Sequence, residues 1–242
     1  MGFRWTAPTC DRHFRTLDRG VVAVDNGGDL YPNTWSVLTR AAQAVYPVLL
    51  RHADDHGVCF PAEDRLAAMS GLTRKGVRAG VLELEMAGLL STKKVTTRNG
   101  RRAKLYNLLN DCTSPEGICM PSIFIDGGLW SDLTPTGKAL AVAFRYFAKP
   151  RPDLDPDEEG WLEGDDFTEY LNRRKYDICG AEPSVLREFS GVCRRIYLAA
   201  IESLQASYVI EPHDEMHWRV LIWPPKIRKV SWLNSRLSGE SR

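Results

Sequence analysis

The chain has 242 residues, 43% of them hydrophobic and 26% charged, with a formal net charge of +1. That composition is ordinary for a globular protein, and the length suffices for one large core or two modest ones. No apolar run approaches the roughly 18 residues of a membrane span, and Met1-Gly2-Phe3-Arg4-Trp5 lacks the apolar core of an export signal, so a cytoplasmic protein without a membrane partner is expected.

The six cysteines, Cys10, Cys59, Cys112, Cys119, Cys179 and Cys193, form no CxxC pair. They read as reduced thiols, with neither zinc spacing nor a disulfide framework. Charge is unevenly spread. Residues 1–33 sum to zero, 34–110 to +6, 111–225 to −9 and 226–242 to +4. A basic segment beside an acidic one points to an anionic partner for the first.

Residues 1–33 read as an N-terminal arm. Within it, Val21 to Val24 form a possible strand closed by the turn-forming Asp25-Asn26-Gly27-Gly28. From Thr34 to about Asp54 apolar residues recur at helical spacing (Val37, Leu38, Ala41, Ala44, Val45, Val48, Leu49), with Pro47 as a potential kink. Val58-Cys59-Phe60 is a short strand, and Pro61 to Met69 a second helix. Ser70-Gly71-Leu72 makes a tight turn. Thr73 then caps a third helix running to about Ala87, ended by Gly88. Leu89 to Val95 and Ala103 to Leu109 are strands joined through Asn99-Gly100. Helix, short strand, helix, turn, helix, hairpin is the winged-helix order, predicted over 34–110.

The third helix would bury Val77, Val81 and Leu84 and expose Arg74, Lys75 and Arg78. With Thr73, these lie in its first turns, where free amides attract phosphate and side chains reach base edges in a major groove. The hairpin, or wing, adds Lys93, Lys94, Arg98, Arg101, Arg102 and Lys104, with no acid from Ser91 to Lys104. Six neutralised phosphates would make log K fall with log salt at a slope of roughly −5. Gly76 and Gly80 interrupt the helix. Packing against the second helix accounts for Gly80, and Gly76 stays open between packing and close approach to DNA.

The pattern returns at an offset of 120. Leu66-Ala67-Ala68-Met69-Ser70-Gly71-Leu72-Thr73-Arg74-Lys75 aligns with Leu186-Arg187-Glu188-Phe189-Ser190-Gly191-Val192-Cys193-Arg194-Arg195, and the match continues to Leu90/Ile210. Thr134-Pro135 starts a helix to about Ala148, matching the first helix of the earlier copy. Tyr208 to Ile210 and Trp218 to Trp223 form the second hairpin. The expected fold class is therefore α+β, mainly α: two winged helix-turn-helix domains in tandem, each a three-helix core with a β-hairpin wing. The second spans 111–225, interrupted by an acidic loop at 153–166 with eight acidic residues, and a basic tail follows at 226–242.

The second copy differs chemically. Leu198 stands at the position of Arg78, and its wing, Glu211 to His217, has three acids and no Lys or Arg. Two readings stay open: DNA contact through Arg173, Arg174, Lys175, Arg194 and Arg195, or dimerisation or partner binding. His213 and His217 do not make a zinc motif, because Asp214 follows the first histidine and Pro212 precedes it. Phosphate loop, nucleophile elbow and metal-ligand spacing are all missing, so no enzyme, no cofactor and no metal are expected.

Pro61-Ala62-Glu63-Asp64-Arg65-Leu66-Ala67, Ser70 to Val77 and Leu84-Glu85-Met86-Ala87-Gly88-Leu89 together resemble the helix-turn-helix of bacterial, plasmid and phage replication initiator proteins. They depart from it at Gly76, where Thr or Ser is more usual. Two winged helices in a chain of this length also resemble plasmid initiators. The resemblance implies binding of double-stranded origin repeats and recruitment of host replication proteins, in a protein associated with nucleoid or plasmid. A dimeric winged-helix transcriptional regulator is the alternative, and an assembly or adaptor protein a third.

Overall fold

A computed structural model describes residues 14–17, 34–96, 100, 102–109, 118–149 and 176–221. The possible strand at 21–24, the acidic loop at 153–166, the basic tail and Arg98, Arg101, Arg173, Arg174 and Lys175 lie outside them.

The first half is built on two helices that the sequence reads as one. A short helix α1 (Thr34–Val37) stops, and α2 (Arg40–His52) begins after Thr39. The predicted continuous helix breaks here because Thr39 is extended and acts as a cap. Its hydroxyl accepts from the Ala42 N–H, and both its N–H and its hydroxyl donate to the Glu83 carboxylate. Pro47, the suspected break, sits inside α2 without ending it. Strand β2 (Val58–Cys59) follows, then α3 (Glu63–Ser70), which starts two residues later than predicted and leaves Pro61 outside. Next come α4 (Arg74–Met86) and the antiparallel strands β3 (Leu90–Thr96) and β4 (Arg102–Leu108). The sheet order is β2-β4-β3, so the hairpin is anchored to the helices through β2.

After Leu109, β5 (Ile118–Pro121) pairs antiparallel with β1 (Phe14–Leu17). Two short helices follow, α5 (Ser122–Asp126) and α6 (Leu129–Asp132), then α7 (Pro135–Phe147), capped by Thr134 as predicted. The sequence reading missed β1, β5, α5 and α6. Strand β6 (Ala148–Lys149), β7 (Tyr176–Cys179), α8 (Pro183–Ser190), α9 (Arg194–Ala206), β8 (Ile210–Pro212) and β9 (Trp218–Leu221) complete the second half. Their sheet order is β6-β7-β9-β8. Strand β8 begins at Ile210 rather than Tyr208, because Tyr208 adopts the left-handed φ of 54°. Its equivalent at the 120 offset is Gly88, at φ 70°, where the conformation is free of side-chain strain.

The succession α2, β2, α3, α4, β3, β4 thus returns as α7, β7, α8, α9, β8, β9. Helix lengths repeat too: 13, 8 and 13 residues in each half. The halves meet through reciprocal contacts. The Trp35 indole N–H donates to the Ala139 carbonyl at 3.3 Å, and that of Trp130 donates to the Ala44 carbonyl at 2.9 Å. Both rings are fully buried. Gly71, in the turn between α3 and α4, lies so close to Ser131 that a Cβ there would sit 2.3 Å from its carbonyl oxygen. Gly191, in the turn between α8 and α9, has the same relation to Ser36, at 2.2 Å. Each contact has its mate with the halves exchanged, as a two-fold axis between the halves requires.

Behind this lies a second register. Trp35-Ser36-Val37-Leu38-Thr39 matches Trp130-Ser131-Asp132-Leu133-Thr134 at an offset of 95. The offset grows from 95 to 120 between α7 and β7, so the second half carries 25 additional residues there. One hydrophobic cluster, from Trp35 to Val220, takes in both halves. Among the described residues, no helix is long and apolar enough to cross a membrane.

Candidate nucleic-acid interface

Helix α4 is held from behind and open in front. Val77, Val81 and Leu84 are buried, as their spacing predicts. Gly80 is buried against α2, not against α3 as the sequence reading had it: a Cβ would lie 2.7 Å from the Ala41 carbonyl oxygen. Gly76 has room, its nearest neighbour being Leu72 at 3.4 Å. Thr73 is the N-cap, its hydroxyl accepting from the Gly76 N–H at 3.2 Å. The outward face begins with Arg74, Lys75 and Arg78, all exposed.

The two arginines are engaged by carboxylates from the first turn of α3. Arg74 donates through Nε and Nη2 to the two oxygens of Asp64, the Nη2 bond measuring 2.6 Å. Arg78 donates through Nε to Oε2 of Glu63 at 2.9 Å, and its Nη2 lies in ion-pair contact with the same oxygen at 2.9 Å. These bonds hold both guanidinium pKa values above the usual arginine range, first through the hydrogen bond and then through the carboxylate's charge. The sequence reading missed the pairs. Their contacts, 10 and 15 residues apart in the chain, belong to the tertiary fold.

The hairpin stands beside this helix. Thr92 donates to Glu85 at 2.5 Å and ties β3 to the far end of α4. In the β3–β4 register Leu90 faces Leu108, Thr92 faces Tyr106, Lys94 faces Lys104 and Thr96 faces Arg102. Side chains alternate along a strand, so Lys94, Lys104 and Arg102 share the face whose inner end is buried at Leu90, Tyr106 and Leu108. Lys93 belongs to the other face, opposite Leu105. The Lys104 ammonium lies 5.4 Å from the centre of the Tyr106 ring. Burial, helped by the Glu63 carboxylate, pushes the Tyr106 hydroxyl up to about 12, so it stays neutral. Lys94 and Lys104 are like charges directly across a ladder, an arrangement that destabilises a bare hairpin and suits an anionic partner. Among the described residues no carboxylate pairs with Lys75, Lys93, Lys94, Arg102 or Lys104. Gly100, with a φ of 72°, fits the predicted Asn-Gly turn.

Residues 37–90 match the family model of the helix-turn-helix domain. The match runs from the end of α1 to the first residue of β3. A helix-turn-helix domain suits binding of double-stranded DNA, and its surface here is basic where such domains meet DNA. Nothing among curated proteins or solved structures matches the chain.

The corresponding surface of the second half is different. Arg194 and Arg195 are exposed at the start of α9, but Cys193 gives no side-chain cap where Thr73 does. Leu198, 70% exposed, replaces Arg78. Pro183 and Ser184 stand where Glu63 and Asp64 stand in the helix-turn-helix domain. The hairpin is short, three and four residues against seven and seven, and its turn is self-contained. Asp214 accepts from the backbone N–H groups of Met216 and His217 and faces the His217 ring, each at 2.8 Å. That turn, led by the Met216 amide, holds the Asp214 carboxyl below its usual range. The His217 ring covers Gly180, where a Cβ would lie 2.7 Å from it. Among the described residues no His, Cys, Asp and Glu group is placed to hold a metal.

Proposed function

We propose that this chain is a sequence-specific double-stranded DNA-binding protein that serves as a plasmid or phage replication initiator. It acts without catalysis of its own, by holding origin repeats and presenting a protein surface to host replication proteins. The observation that carries the DNA-binding reading is the exposed cationic start of α4 beside a hairpin whose lysines have no carboxylate partners among the described residues. A helix end, a basic helix face and a basic strand face on one side of a domain provide phosphate contacts and base contacts together.

In this reading the second half is a diverged winged helix-turn-helix domain. The repeated order of elements, the equal helix lengths and the reciprocal tryptophan and glycine contacts support it. A homodimeric regulator obtains its two-fold mate from a second copy. Here the chain supplies a mate internally, which favours the initiator over the dimeric regulator.

Changing Arg74, Lys75 and Arg78 together to Ala is expected to abolish high-affinity, sequence-selective duplex binding, measured by fluorescence anisotropy across a salt series. Full-strength binding by that variant would reject this surface as the interface. Selection of bound sequences from random duplex DNA tests the finer reading: direct repeats support initiation, and a palindrome occupied by two copies of the chain supports the regulator.

A further inference from the structure

The cations of the helix-turn-helix domain fall into two electrostatic classes. Arg74 and Arg78 are matched one to one by Asp64 and Glu63, whereas Lys75, Lys93, Lys94, Arg102 and Lys104 have no such counter-charge among the described residues. A guanidinium has two donor edges, one made of Nε and an Nη, the other of both Nη groups. In both pairs the carboxylate takes the first edge. The Nη1–Nη2 edge is left, on side chains that are 63% and 66% exposed. That is an edge that meets O6 and N7 of guanine with two parallel bonds.

Resting on the reading of α4 as the recognition helix, we infer that Glu63 and Asp64 are specificity-determining positioning residues: they brace Arg78 and Arg74 against swinging to phosphate and aim the remaining edge at guanine. Phosphate contact is thereby left to the unmatched cations. A braced guanidinium is close to neutral as a unit, so its attraction for the uniformly charged backbone is weak. Its hydrogen-bonding to a base edge is undiminished, because those donors are different ones. The carboxylates themselves sit in the first turn of α3, at the helix end that suits acidic side chains. The second half supplies an internal comparison. Where Pro183 replaces Glu63, Leu198 replaces Arg78, so that brace and its arginine are absent together; where Ser184 replaces Asp64, Arg194 remains at the place of Arg74.

The test uses the full chain carrying Glu63→Gln and Asp64→Asn. Two duplexes serve as probes: the sequence that the wild-type chain selects from a random pool, and an unrelated duplex of equal length. Affinity for the unrelated duplex is expected to rise, with its log K against log salt slope steeper by about two as two arginines move to phosphates. The ratio of the two affinities is expected to fall at least about tenfold. Both affinities come from one preparation, so any unfolded fraction cancels in that ratio. An unchanged ratio, with both affinities rising by the same factor, would mean that the carboxylates only repel the backbone and would overturn the inference. Failure of the reading beneath it has a separate signature, because the Arg74, Lys75 and Arg78 triple variant would then keep full duplex binding.

Discussion

At the scale of single residues, Lys138 is the group most at odds with its surroundings. It is 2% exposed on α7, and its ammonium donates to the carbonyls of Leu133 and Ser131. Burial pushes its pKa down to about 8. A charged amine held by carbonyls, with only partial relief from the Asp132 carboxylate, opposes folding wherever it is protonated in both states. Below pH 8 this cost is complete. Between pH 8 and about 10.5 the unfolded chain holds the proton more tightly, so stability rises with pH across that window. The offset of 95 places Gln43 at the same point of α2, fully buried, with its amide donating to the Trp35 carbonyl at 2.6 Å. Lys138→Gln is therefore expected to stabilise the chain at pH 7 by about 1–3 kcal/mol. Thermal unfolding at several pH values should show the gain shrinking above pH 8. Much else at this scale was legible in the sequence. The Thr73 cap, the buried Val77, Val81 and Leu84, and the exposed Arg74, Lys75 and Arg78 all follow from helical spacing. The Lys138 environment does not, because its carbonyl partners belong to α6 and the turn after it, which have no periodic signal.

Elements were readable in proportion to their length and regularity. The helix-turn-helix segment from α3 to α4 and the long hairpin carry their signals locally, in a capping residue, a turn glycine and an alternating strand. The start of α2 does so weakly: apolar spacing runs unbroken through Leu38, and Thr39, capping α2 with its own hydroxyl and held by Glu83 44 residues away, ends one helix and begins another. Two glycines of α4 look alike in sequence and differ in place. Gly80→Ala would drive a methyl group into the Ala41 carbonyl, and is expected to cost about 2 kcal/mol or more as α2 and α4 are pushed apart. Gly76→Ala meets only ordinary contact and should gain up to about 1 kcal/mol from helix propensity. Chemical denaturation of the two variants would expose the opposite signs. If the Gly76 variant is more stable yet binds duplex more weakly, the backbone there approaches DNA closely.

For the molecule as a whole, the reciprocal contacts join two halves into one cooperative unit. Gly191 touches Ser36 although 155 positions separate them in the chain. Gly191→Ala combines a left-handed φ of 64° with a clash against backbone. It is expected to lower the unfolding temperature of the entire chain in a single transition, the α4 side included, as followed by calorimetry and by tryptophan fluorescence. Two separate transitions, with only the second half affected, would contradict that coupling. The return of the α3-turn-α4 pattern as α8-turn-α9 was visible in the sequence at one offset. The interlocking was hidden, because the Trp-Ser-x-Leu-Thr motif returns at another offset and is only five residues long. Strand β1 was equally hidden, since its partner among the described residues, β5, is about a hundred residues away. Both halves lie in one chain, so a substitution in one leaves the other as it was. In an assembly of identical subunits every substitution is made twice and the two faces stay alike. Within this chain they differ: Arg78 stands on one side, and Leu198 with a closed, acidic turn on the other.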